Sequence, residues 1–138
     1  MKTLYRILFL SVVLTSAANA AESALNIQAI SAAEINNFRA PESDVLSAGQ
    51  PTEEQFKIMA DLGVKHVINL RTPGEDAGFD EKMTVEALGM SYNNIPVSVG
   101  EGGINYDNSQ SLQKLLDEFG DEGVVIHCAT GNRVGALI

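Results

Sequence analysis

The chain has 138 residues, with 9 Lys and Arg against 18 Asp and Glu and a formal net charge of −9. So acidic a chain excludes nucleic acid and anionic membrane as partners, because each requires a basic face. With one cysteine and two histidines there is no internal disulfide and no metal-ligand spacing, so no metal site is expected.

In chain order, residues 1–20 carry Lys2 and Arg6, an apolar run from Ile7 to Leu14, and small residues ending in Ala18-Asn19-Ala20. This pattern predicts a secretory signal peptide cleaved after Ala20 and, from export, a periplasmic protein. The apolar run is much shorter than the roughly 20 residues needed to span a bilayer. No later segment is long or apolar enough either, so the mature chain is expected to have no membrane span. Residues 21–138 form a segment of single-domain size. Both leader charges are basic, so this mature segment is still more acidic, with a net charge near −11. A lone thiol in an exported chain calls for a reason, and reactivity is one.

Strand-like and helix-like segments then alternate. Asp44–Gly49 reads as a short strand. In the next segment Thr52 is the expected N-cap, with Gln55 three residues on, Glu53 and Glu54 in the first turn, and Gly63 as the stop. Val64–Leu70 is a second strand, rich in β-branched residues. The segment from Asp80 puts Met83, Ala87 and Leu88 on one helical face and ends at Gly89. Met90–Val97 is a third strand. A glycine-rich loop leads to a helix from Asn108, with Leu112, Leu115, Leu116 and Phe119 at helical spacing and Asp107 as the expected N-cap. Gly123–His127 is a continuous apolar strand of the kind buried on both faces, and a last helix begins beyond it.

This alternation predicts an α/β fold with a mainly parallel central sheet flanked by helices. Ligands of such sheets collect at the carboxyl ends of the strands. Gly49, Gln50, Arg71, the glycine-rich loop and Cys128 all fall at that edge.

The stretch Cys128-Ala-Thr-Gly-Asn-Arg133 joins the buried strand to a helix start. The amides of Ala129, Thr130, Gly131, Asn132 and Arg133 can turn inward as an anion nest, with the helix start adding positive potential. A cysteine there has its thiolate favoured by the amides and by Arg133. Gly131 permits the turn, and Arg133 offers a planar fork to a tetrahedral anion such as phosphate or another small oxyanion. The plainer alternative is a cysteine that merely ends a core strand. His127 is read as orienting the loop through a hydrogen bond to nearby backbone. Arg71 either binds a second anionic group of the substrate or pairs with Glu75 or Asp76. Val134, Ala136, Leu137 and Ile138 look like the opening of a longer helix, so the domain of residues 21–138 is expected to be truncated at its C-terminus.

The stretch "IHCATGNR" resembles the phosphate-binding loop of the cysteine-dependent tyrosine and dual-specificity phosphatases, with four rather than five residues between Cys128 and Arg133. Together with "SAGQPTEEQFKIMADLGVKHVINLRTPGE" and "YNNIPV", it resembles the phosphatase-like domain of the beta-lactamase-hydrolase-like proteins, which share this shorter loop. The resemblance implies a cysteine-phosphatase-like fold. It further implies that Cys128 attacks a phosphate monoester to form a thiophosphoryl enzyme, with residues 129–133 holding the phosphate oxygens and no metal or organic cofactor needed.

Val134 stands where those phosphatases usually carry Ser or Thr, and Ser98 lies where they carry the general-acid aspartate. Glu101, among glycines, is the candidate acid in its place, with a solvated loop carboxylate as the alternative. Cys, four residues, Arg is also the spacing of rhodanese sulfurtransferases, which implies a sulfane-sulfur substrate and a persulfide on Cys128. An inactive anion-binding module is the third reading.

Overall fold

The structure, a computed structural model, describes residues 25–138, so the expected leader at 1–20 lies outside the described residues. The chain runs α1 (Ile27–Ser31), β1 (Val45–Ala48), α2 (Glu53–Asp61), β2 (Val64–Asn69), α3 (Glu81–Ala87), β3 (Ser91–Asn94), α4 (Tyr106–Phe119), β4 (Gly123–His127), α5 (Asn132–Leu137). The four strands form one parallel sheet in the order β1-β4-β2-β3. The α/β fold expected from the alternation is what the chain adopts. None of its helices among the described residues is long and apolar enough to cross a membrane.

Local sequence accounts for the element ends. Thr52 caps α2 by accepting from the Gln55 amide, while the Gln55 side chain accepts from the Thr52 amide, a reciprocal capping box. Helix α4 starts two residues earlier than the apolar spacing suggests, because Asn105 rather than Asp107 is its N-cap. Asp107 instead sits in the first turn, where a carboxylate favours the helix dipole. Helix α1 carries no apolar repeat long enough to be legible in the sequence. Strand β3 keeps only the middle of its expected span.

Strand periodicity divides the core between the two faces of the sheet. Val125 packs with Leu46, Phe56, Met59, Val67 and Val85 on the side of α2 and α3. Val124, Ile126 and Cys128 pack with Leu112, Val134 and Leu137 on the side of α4 and α5. All five residues of β4 are buried, which places this strand at the centre. Each fully buried Val, Ile or Leu side chain contributes about 1.5–3 kcal/mol relative to exposure.

In α3 the expected face is right only for Leu88, which is half-buried against the core. Met83 is 65% exposed and Ala87 is also exposed, whereas Glu81 and Val85, one turn apart, are buried. The inward stripe of this helix begins with a charged residue, so an apolar count rotates it to the wrong side.

Candidate active site

Ala48, His127, Asn69 and Asn94 lie in register across the sheet. The residues just beyond that line are the ones the sequence places at the functional edge. Cys128 leaves the central strand between the ends of β1 and β2, with the His127 carbonyl accepting from the Leu70 amide at 2.8 Å.

The loop after Cys128 is held from outside. The Ala129 carbonyl accepts from the Gln50 amide at 3.1 Å, and the Thr130 carbonyl accepts from Asn37 Nδ2 at 2.6 Å. In a planar trans peptide the carbonyl and the following N–H point in opposite directions. Pinning these two carbonyls outward therefore turns the Thr130 and Gly131 amides inward, and the Gly131 amide donates to Cys128 Sγ at 3.0 Å. Burial alone would raise the Cys128 pKa, but the amides of Arg133, Thr130 and Gly131 and the Arg133 guanidinium outweigh it and bring the thiol below its ordinary value.

Gly131 is the N-cap of α5 with φ +88°, and a Cβ there would lie 3.3 Å from the Ala48 carbonyl carbon. Gly131→Ala is expected to destabilise the protein by about 1–2 kcal/mol, the cost of a left-handed non-glycine residue. The check is urea unfolding, in which an unchanged midpoint would refute that cost.

Cys128 has no exposed surface, its aliphatic side packing in the α4/α5 core and its polar side facing the amides. Arg133 is buried too, and Glu75 holds one edge of its guanidinium: Nη1 and Nη2 donate to the two carboxylate oxygens at 2.8 and 2.6 Å. Nη1 also donates to the Val97 carbonyl at 2.8 Å. Of the five guanidinium protons, this leaves the Nε–H and one Nη2–H for the sulfur or an anion. The Arg133 ion pair holds the Glu75 carboxyl down to about 2. The fork expected of Arg133 is thus half occupied, and the amides come before the guanidinium as the loop's electropositive element.

Arg71 is buried at the end of β2, but its partner is neither Glu75 nor Asp76. Its Nη2 lies 3.4 Å from Glu81 Oε2. His127 bonds not to backbone but to the other Glu81 oxygen, through Nε2 at 2.6 Å. Ala129, Thr130 and Asn132 are exposed on the loop. Glu101 is exposed in a turn, and among the described residues no hydrogen bond or ion pair ties it to the loop. Sequence reasoning missed Asn37, Gln50's contact with the loop, Glu75 as the Arg133 partner, and Glu81. Only Glu75 had a local signal, the turn Thr72–Glu75 that follows β2.

No group of three or more His, Cys, Asp or Glu among the described residues is arranged to hold a metal ion.

No family model matches the chain. The chain is 37% identical over 94 residues to a beta-lactamase hydrolase-like protein of Agrobacterium fabrum, covering 65% of this chain and 21% of that protein. It is 32% identical over 90 residues to the protein of that name from Xylella fastidiosa, covering 62% and 20%. The chain therefore spans about a fifth of the length of the curated relatives it matches.

Among solved structures, a candidate phosphatase of the DUF442 group from Shewanella putrefaciens superposes with TM-score 0.70 and 28% identity, covering 81% of this chain and 71% of that one. The structure of TpbA from P. aeruginosa in complex with pTyr superposes with TM-score 0.60 at 16% identity, covering 73% and 59%, and supports the fold alone. In sequence the chain is similar to the beta-lactamase hydrolase-like proteins over about a fifth of their length, and its fold is that of the DUF442 and protein-tyrosine-phosphatase-like structures.

Proposed function

We propose that the chain is a cysteine-dependent phosphatase acting on a phosphate monoester. The observation that carries this reading is the Gly131 amide on Cys128 Sγ, within a loop whose carbonyls are tied back by Gln50 and Asn37. The candidate phosphatase from Shewanella, at 28% identity, supports the same reaction class.

In this reading the Cys128 thiolate attacks phosphorus as the P–O ester bond breaks, and the leaving oxygen takes a proton from an acid, for which Glu101 is the proposed donor. Water then attacks phosphorus, the S–P bond breaks, and inorganic phosphate leaves. The inward amides and the free edge of Arg133 stabilise the charge that spreads over the phosphoryl oxygens. Ala129, Thr130, Gly131, Asn132 and Arg133 hold the phosphate, with Arg71 as the proposed contact to a second anionic group. The leader read in residues 1–20 supports a periplasmic location for this chemistry.

The test offers the purified chain para-nitrophenyl phosphate across about pH 5–8, and separately thiosulfate with cyanide. Phosphate release without thiocyanate is the expected result. Thiocyanate formation alone would replace phosphoryl transfer by sulfur transfer, and neither product would leave an anion-binding module.

A further inference from the structure

We propose that Glu81 is a positioning residue for the cysteine loop, acting on Cys128 through Gln50 and His127. This rests on the reading of Cys128 as the nucleophile. Glu81 is the first residue of α3 and is 5% exposed, an isolated place for a carboxylate unless its oxygens are filled. They are filled by three groups. Oε1 accepts from His127 Nε2 at 2.6 Å, and Oε2 accepts from Gln50 Nε2 at 2.7 Å and faces Arg71 Nη2 at 3.4 Å.

These three partners come from the ends of three adjacent strands. His127 is the last residue of β4, while Gln50 and Arg71 each lie two residues beyond the ends of β1 and β2. One carboxylate therefore clamps the edge from which the loop springs. The route to the sulfur is continuous. Glu81 fixes the Gln50 side chain, the Gln50 amide holds the Ala129 carbonyl outward, and that peptide in turn aims the Thr130 amide at the pocket interior. His127 supplies a second route, because its ring is wholly buried against Phe56 at 5.8 Å between centroids and Cys128 is the next residue.

A carboxylate cannot donate to His127, so the proton between them sits on Nε2, while Nδ1 has no partner among the described residues. The other titratable groups around this cluster are Arg71 from the end of β2, Tyr92 from β3, Asp80 ahead of α3, and Cys128 itself. None of them offers a carboxylate to His127 in place of Glu81.

The experiment reads the thiolate directly. The chain has a single cysteine, so the ultraviolet absorbance of the thiolate, corrected with a Cys128→Ser blank, gives its titration without any reagent having to reach a buried sulfur. Glu81→Gln keeps the shape but turns an amide nitrogen toward donors. It is expected to raise the Cys128 titration midpoint by about one unit.

Gln50→Met leaves Glu81 its His127 and Arg71 contacts and is expected to give a smaller rise. The double variant should fall short of the sum, since both changes interrupt one path. If Glu81→Gln fails to fold, Gln50→Met still carries the test. Variants that melt at a lower temperature with an unchanged Cys128 midpoint would show Glu81 to be a structural clamp only, and would overturn the proposal. A wild-type midpoint at the ordinary thiol value would overturn it as well. A low midpoint that responds to Glu81, in a protein that releases no phosphate, would uphold the positioning role and remove the phosphatase reading instead.

Discussion

Replacing Cys128 by serine is expected to abolish phosphate release from para-nitrophenyl phosphate, by about a thousandfold or more, while leaving the fold intact. The loop brings the thiol below its ordinary value with inward amides and part of a guanidinium. The same field acting on a hydroxyl, whose intrinsic acidity is far weaker, leaves it protonated at neutral pH and without nucleophilic character. Structure is spared because Gly131 still has an oxygen to donate to and the volume change is small. The buried hydroxyl then keeps a partner, which avoids most of the desolvation cost.

A pH signature follows with a definite sign. The folded pKa of Cys128 is depressed, so its contribution to stability is fully present above the unfolded value near 9.0 and is lost as pH falls through the folded value. Thermal unfolding of wild type and Cys128→Ser should therefore diverge in favour of wild type as pH rises from the folded value toward 9.0, and keep a constant offset above it. Parallel curves, or a serine variant as active as wild type, would remove Cys128 from the chemistry.

Arg133→Lys should lower kcat by about 10²–10³-fold, the cost of losing preorganised donors at developing charge. An ammonium has three donors on one point. It cannot hold both Glu75 oxygens and the Val97 carbonyl while also presenting a planar edge to phosphate. Lysine will satisfy Glu75 first, since that carboxylate is already in place, and the anion loses its share. Arg133→Ala should lose as much activity and, in addition, release Glu75.

In the wild type the Glu75 carboxyl is depressed to about 2, so its contribution is present above the ordinary value of 4.5 and fades as pH drops toward 2. In Arg133→Ala that acid-dependent part of stability should disappear, measurable as a flatter dependence of the unfolding midpoint below about pH 4.5. Because Glu75 is partly exposed, the freed carboxylate is rehydrated rather than stranded, and the fold should survive. Unchanged kcat in the lysine variant would confine Arg133 to a structural role.

What the sequence made legible is what depends on near neighbours. The capping box of Thr52 and Gln55, the buried run of β4 and the turn at Gly131 each involve residues within a few positions of one another, and each is found where expected. The parallel sheet followed from alternation alone. The site's outer supports did not, because they pair residues 31, 46, 58 and 93 positions apart, and no spacing rule joins Gln50 or His127 to Glu81, Arg133 to Glu75, or Asn37 to Thr130. Glu81 shows the difficulty most plainly. A glutamate at the start of a helix has a sufficient explanation in the dipole, so nothing in the sequence marks it as the buried member of its turn. Asn105 and Asp107 competed for the same cap on nearly equal chemical terms, and only the backbone decided between them.

Among the described residues the strand that leads into Cys128 is the last along the chain, and it lies between two strands laid down earlier. Until β4 arrives, β1 and β2 have no neighbour between them, and the pairing that joins them spans most of the polypeptide, which makes it an entropically late event. Insertion of this one segment joins β1 to β2, contributes to both halves of the core and brings Cys128 between the two strand ends. The inward amides that lower the Cys128 thiol therefore depend on this long-range pairing, and before it forms the sulfur lacks them.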